Sequence, residues 1–307
     1  MKLEVFLERA RERADAAPPL APNPALDAAL AASVAYLDSD AAARDVARDP
    51  YWPKWTSPWW HLLLLHELGL AAKIPARAVE RVAEALDRHF LHEFPLRLEE
   101  IPTGADPYRH IVCHCALGCM FRLLHDRGID VDARVPWARE WFLRYQLADG
   151  GLNCDEAAYT RATPRSSFTS TLPPAEALLF ATPRPFDARE RAFLAGAADY
   201  LVRRGLVRSL SRARIVDARW LVPGFPRFYQ YDALRGLSFL AHFAARTGSA
   251  LPADALAEPV VTLAAWFERR DPPGDAHLAM GTYGPDGSGG WKSFPAAERF
   301  PLLDRVV

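Results

Sequence analysis

Much of what this 307-residue chain lacks narrows its class before any motif is considered. No apolar run approaches the roughly 18 residues that a membrane-spanning helix needs; the longest, HLLLLHELGL from His61 to Leu70, is short and broken by charge. Lys and Arg number 37 against 38 Asp and Glu, for a formal net charge of −1, so there is no basic excess of the kind that marks a nucleic-acid footprint. There are only four cysteines, three of them between 113 and 119, too clustered for a disulfide framework. The expectation is therefore a cytoplasmic protein with reduced thiols. The first 17 residues are charged at helical spacing and have no apolar segment of the secretory kind. Also missing are G-x-S-x-G, G-x-x-x-x-G-K-[ST], a G-x-G-x-x-G ahead of a helix, C-x-x-C and H-E-x-x-H. Half of the residues are apolar and a quarter charged, enough to bury a substantial core, and convincing strands are hard to find.

What is present is a repeat. Five segments share one plan, a polar or small residue followed by an apolar helix that often closes on Gly. They start at Ser57, His114, Ser170, Tyr231 and Ser293, which are 57, 56, 61 and 62 residues apart. Ser or Thr followed by Pro marks several of the starts, and Gly69, Gly128 and Gly248 mark stops. Between them lie amphipathic segments at 26–38, 76–90, 135–147, 188–205 and 252–270, apolar at i, i+3, i+4 and i+7. The first kind is apolar nearly all round, as a helix buried on every side must be. Alternating buried inner and half-exposed outer helices, at one hairpin per roughly 60 residues, imply an all-α domain built as a solenoid or a ring. No polar capping repeat is visible, which favours a ring over residues 51–307, with 1–50 as helices packed upon it.

The loop QLADGGLNCDEAAY carries Gln146, Asp149, Gly150 and Gly151 in the order of the Q-x-x-D-G-G turn, and GPDGSGGW from Gly284 to Trp291 is a looser copy. With inner helices headed by SSFTSTLPPAEALL and FYQYDALRGLSFL, the chain resembles a divergent member of the squalene cyclase and protein prenyltransferase β-subunit repeat superfamily from about residue 50 onward. That resemblance implies an α/α toroid of five to six hairpins with its ligand site in the ring. Two motifs of the superfamily are not reproduced: for D-x-D-D there is only Asp38-Ser39-Asp40, and for D-x-C only Cys154-Asp155 in reverse order.

Candidate chemistry centres on HIVCHCALGC. On one helix, His110, Cys113 and His114 would share a face and Cys115 with Cys119 nearly the opposite one. His and thiolate suit zinc, and His114 or Cys115 facing the lumen would meet Cys154 and Asp155 of the next repeat; packing of cysteine as a small hydrophobe is the alternative. Either zinc or no cofactor is expected. Asp232, Asp155 and His114 are the candidate acids or bases, a desolvated carboxylate being able to hold a proton. Arg235 is either the ion-pair partner of Asp232 or a substrate contact. Trp59, Trp60, Phe168, Tyr229, Tyr231 and Trp291 lead into inner helices and are expected to collect at one end as an aromatic mouth for a hydrophobic small molecule. The Arg-rich stretch 203–219 is either a solvated loop or a diphosphate contact. The expected activity is cyclase-like or transferase-like chemistry on an apolar, isoprenoid-like ligand. The alternative is a non-catalytic binding or interaction protein that keeps the fold.

Overall fold

A computed structural model describes residues 2–15, 22–211, 214–269, 274 and 276–307. Met1, Arg212 and Ala213 of the Arg-rich stretch, and Arg270 at the end of the last outer segment lie outside the described residues. The protein is mostly helical, as expected. In chain order the elements are α1 (Leu3–Asp15), α2 (Pro24–Leu37), α3 (Asp40–Arg48), α4 (Pro58–Glu67), α5 (Ala76–His89), α6 (Pro107–His110), α7 (His114–Asp126), α8 (Val131–Arg134), α9 (Trp137–Arg144), α10 (Phe168–Phe180), α11 (Ala188–Arg203), α12 (Ala233–Thr247), α13 (Ala253–Phe267), the strands β1 (Thr282–Pro285) and β2 (Trp291–Phe294), and α14 (Pro301–Val306).

The two kinds of helix have the burial their sequences require. Pro58 through Leu65 of α4 are all buried, and so are most of α7 and nearly all of α10. In α5 burial is confined to Ala78, Val79, Val82, Ala83, Ala85 and Leu86, one face of the helix. Helix α7 packs against α4, α9 and α10, and α10 against α11 and α12. Side chains of α4, α7, α10 and α12 line a shared cavity of about 440 Å³.

The closest helix pair is α7 with α10, and its cause is Gly118. A β-carbon there would meet the Pro173 carbonyl carbon and the Pro174 nitrogen, both at 2.5 Å. Only glycine lets the backbones come this near. The turn Gln146–Gly151 fixes the approach from the other side. Gln146 Nε2 donates to the carbonyls of Gly150 and Phe193, and Asp149 takes Ser166 and Arg204. Gly150 has φ +92° and lies against the Gly196 carbonyl, where a β-carbon would stand at 2.2 Å. These residues tie the end of α9 to α11 and to the start of α10.

Two expectations are corrected. The fifth inner helix from Ser293 does not form: β2 pairs antiparallel with β1, Ser293 opposite Tyr283, and helix returns only at Pro301. GPDGSGGW is therefore a β-hairpin turn, in which Asp286 Oδ1 accepts the amides of Ser288 and Gly290 while Gly287 and Gly289 take positive φ. Residues 110–119 are likewise not one helix. His110 closes α6, its carbonyl accepts the Leu91 amide, and Cys113 is an extended N-cap of α7 at φ −66°, ψ 144°.

Candidate metal centre

The break before α7 decides which cysteines meet. With Cys113 extended, its side chain leaves the helical wheel and joins that of Cys115 rather than those of His110 and His114. Cys154 arrives from the loop before α10, its amide donating to Ser170 Oγ at 3.0 Å. Gly118 and Pro173 bring α7 and α10 into contact, and Cys115 and Ser170 each lie about one turn earlier on their helices. The sulfurs of Cys113, Cys115 and Cys154 lie within 4.8 Å of one another. Among the described residues this is the only such group of three or more His, Cys, Asp or Glu ligand atoms.

Cys115 Sγ and Cys154 Sγ are 3.7 Å apart, far beyond the ~2.05 Å of a disulfide but close to the ~3.8 Å between two sulfurs that share a tetrahedral zinc at 2.3 Å. All the thiols are free; Cys113 is exposed as a residue, but its sulfur is turned into the buried cluster. Hydrogen bonds from Cys113 and Cys115 hold the Cys154 thiol well below its ordinary value, against the opposing effect of burial. The same contacts push Cys115 well above its ordinary value, with burial adding to the shift. Cys113 is raised too: the bond from Cys115 favours its thiolate, and the Cys154 contact with burial outweighs it. Of the three sulfurs, Cys154 is therefore the one whose thiolate the cluster favours.

Lys54 supplies the matching charge. It is only 8% exposed and donates to Tyr229 Oη at 2.8 Å. Its Nζ lies 4.8–5.6 Å from the ring centroids of Tyr229, Trp60, Tyr51, Trp52 and Trp55. Burial lowers its pKa to about 8, and the charge of Cys115 and Cys113 works in the other direction. The turn that delivers it is strained, Trp55 having φ +70°.

His114 stands beside the cluster but faces away from it. Trp141 Nε1 donates to its Nδ1 at 2.6 Å, so Nε2 carries the proton and is bonded to Tyr159 Oη at 3.0 Å. Burial takes its pKa down to about 4. Tyr159 Oη also accepts the Asn153 amide, next to Cys154. The histidine thus holds the loop that carries the third sulfur, and neither ring nitrogen is left for an ion.

The other expected residues scatter. Asp155 is exposed and caps a short 3-10 turn through Ala157. Asp232 is the buried N-cap of α12, taking the amides of Arg235 and Gly224 and the Arg227 guanidinium. Arg235 pairs with Glu176 at 2.6 Å, not with the Asp232 carboxylate through its guanidinium. Trp59, Trp60, Phe168 and Tyr231 are core residues; Phe168 packs on Tyr200, Trp220 and Tyr231, whose hydroxyl donates to Leu206. Tyr229 reaches the Lys54 box, and Trp291 lies outside it under the Arg109 guanidinium, 4.0 Å from its ring centroid. From the sequence, Cys113 was grouped with His110 and His114 rather than with Cys115, and Lys54 was not singled out. The signal was C-x-C at a helix start, and a lone Lys inside a Trp-rich run. No protein family, curated protein or solved structure matches this chain.

Proposed function

We propose that this protein is a zinc-thiolate enzyme on an α/α toroid similar to that of the squalene cyclases and prenyltransferase β subunits, acting on a substrate thiol. The toroid reading rests on the alternation of α4, α7, α10 and α12 with α5, α9, α11 and α13, and on the cavity the first four line. Three sulfurs with no fourth partner carry the functional reading. Three protein ligands with a vacant fourth position are the pattern of a catalytic rather than a structural zinc, and all-sulfur donors suit a soft ligand there. Zinc at this place would present a bound thiol as a thiolate near neutral pH, ready to attack an apolar, isoprenoid-like electrophile.

The chain's own residues then have defined work. Cys113, Cys115 and Cys154 hold the ion, and His114 with Tyr159 fixes the Cys154 loop. Three thiolates on a divalent ion leave one negative charge, which Lys54 offsets without any carboxylate partner among the described residues. The rings around Lys54 shield its ammonium from water. One observation favours a second reading, a metal-holding protein without transfer chemistry: Trp55, Trp59 and Trp60 fill the expected aromatic chamber themselves, at 2% exposure or less.

Cobalt substitution separates the two. A Co(II) protein with three sulfurs should show sulfur-to-cobalt charge transfer and tetrahedral ligand-field bands. Under the enzyme reading, a probe thiol such as glutathione shifts those bands by entering the fourth position. Bands indifferent to thiols leave a closed metal site and contradict the transfer reading.

A further inference from the structure

The cavity between α4, α7, α10 and α12 lies further along the inner helices than the sulfurs, and the chemistry of its wall differs from theirs. Its carboxylates are spent. Glu67 accepts the backbone amides of Arg227 and Phe228, and both oxygens of Glu176 are taken by Arg235. Its donors are not. Arg122 lies over Phe180, its Cζ 4.3 Å from the ring centroid, with no hydrogen bond among the described residues; its buried Nε has no hydrogen-bond partner and only an ion-pair contact. The nearest carboxylate, Asp126, is 3.7 Å from Arg122 Nε and is already bonded to His66 at 2.7 Å. Arg227 uses only Nε, toward Asp232.

Helix ends do not absorb these cations either. The last carbonyls of α4 accept amides from Leu68, Gly69 and Leu70, and those of α7 from Arg127, Gly128 and Ile129. The end of α10 is met by Arg246, which donates to Leu179 and Thr182. A helix dipole acts within its last turn, and these turns are already satisfied. What is left facing the cavity is a set of donors on an apolar floor of Leu63, Phe180 and Phe228.

We infer that this cavity is a second binding site, for a small molecule that carries an oxyanion, carboxylate or phosphate, on an apolar or aromatic body. Guanidinium groups pair with such oxyanions through parallel N–H bonds, and about 440 Å³ is the space of a small-ligand pocket. The site is separate from the thiol centre, since Arg122 stands about two turns beyond Cys115 on α7. Its failure leaves the zinc proposal standing.

Calorimetric titration of the full chain with phenyl phosphate, benzoate and benzylamine tests it. At least one of the two anions should bind with a Kd of about 1 mM or tighter, and the cation should not. Which anion binds names the headgroup. Arg122→Gln should weaken that binding about tenfold, the worth of one charged hydrogen bond. Ser238→Glu, at an exposed position on the cavity wall, should weaken it as well by placing a carboxylate there. No binding of either anion in the millimolar range, equal binding of benzylamine, or an Arg122→Gln protein that binds as before overturns the inference.

Discussion

Cys115 and Cys119 stand one turn apart on α7 and meet opposite surroundings. Cys115 faces two other sulfurs, those of Cys113 and Cys154, and no hydrogen bond from it to a carbonyl is present among the described residues. Cys119 faces the cavity side, where its thiol lies 3.2 Å from the Phe228 carbonyl and burial raises its pKa to about 12. The same residue type is a ligand in one place and a packed hydrogen-bond donor in the other. Partners rather than residue identity make the difference, and backbone places them: the extended N-cap at Cys113 brings its sulfur to Cys115, and Gly118 lets α10 approach α7.

The largest effect should come from the support of the sulfur cluster. His114→Ala removes the acceptor of the Trp141 indole N–H and the partner of Tyr159 inside the core, for a loss of about 3 kcal/mol in denaturant unfolding. Metal affinity should fall with it without vanishing, because the three sulfurs remain. Zinc-free His114→Ala protein with unchanged stability would make the histidine a ligand instead.

Acidity should act next, on both regions. Cys113 and Cys115 are both raised above the ordinary thiol value and hold their protons at neutral pH, so loading zinc should release at least two protons per ion. Calorimetry in buffers of different ionisation enthalpy measures that count; release of none would contradict thiolate binding. Folding stability has its own acid limb. His114 and His61 titrate near 4 and 3 in the folded chain, below their ordinary 6.5, so between those values the unfolded chain binds more protons. Stability is then complete above about pH 6.5 and is lost as pH falls, by about 1.4 kcal/mol per unit for each histidine, until its folded value is reached.

The smallest effects sharpen the contrast between the two cysteines. Cys119→Ala should cost about 1 kcal/mol and leave the metal content unchanged. Asp155→Asn should leave metal content unchanged and stability within about 0.5 kcal/mol, since Asp155 is exposed and turns away to its own loop. A change in metal content for either variant would redraw the ligand set.

The helical pattern was legible because burial and periodicity coincide in α4, α5, α7 and α10. The Q-x-x-D-G-G turn was legible as a signature, though its work, clasping Phe193 and Ser166 across two elements, is visible only in three dimensions. The sulfur cluster was half legible. Cys115 and Cys154 could be paired from repeat logic, but Cys113 was assigned to a helical face that does not exist, since Leu91 captures the His110 carbonyl and ends α6 there. His114 misled for a related reason: nothing local to HIVCHCALGC announces that Trp141 and Tyr159 will occupy both of its nitrogens. The fifth repeat failed because Phe294 and Ser293 find strand partners in Thr282 and Tyr283, an alternative that helical spacing cannot register.

The central claim is tested most directly by elemental analysis of untagged protein purified without chelators, wild type beside Cys154→Ala. The account predicts about one zinc per chain in the wild type and none in the variant, with Cys113→Ala behaving like Cys154→Ala. A wild type without metal, or a Cys154→Ala protein that keeps it, would return the three thiols to packing and remove the basis for thiolate chemistry.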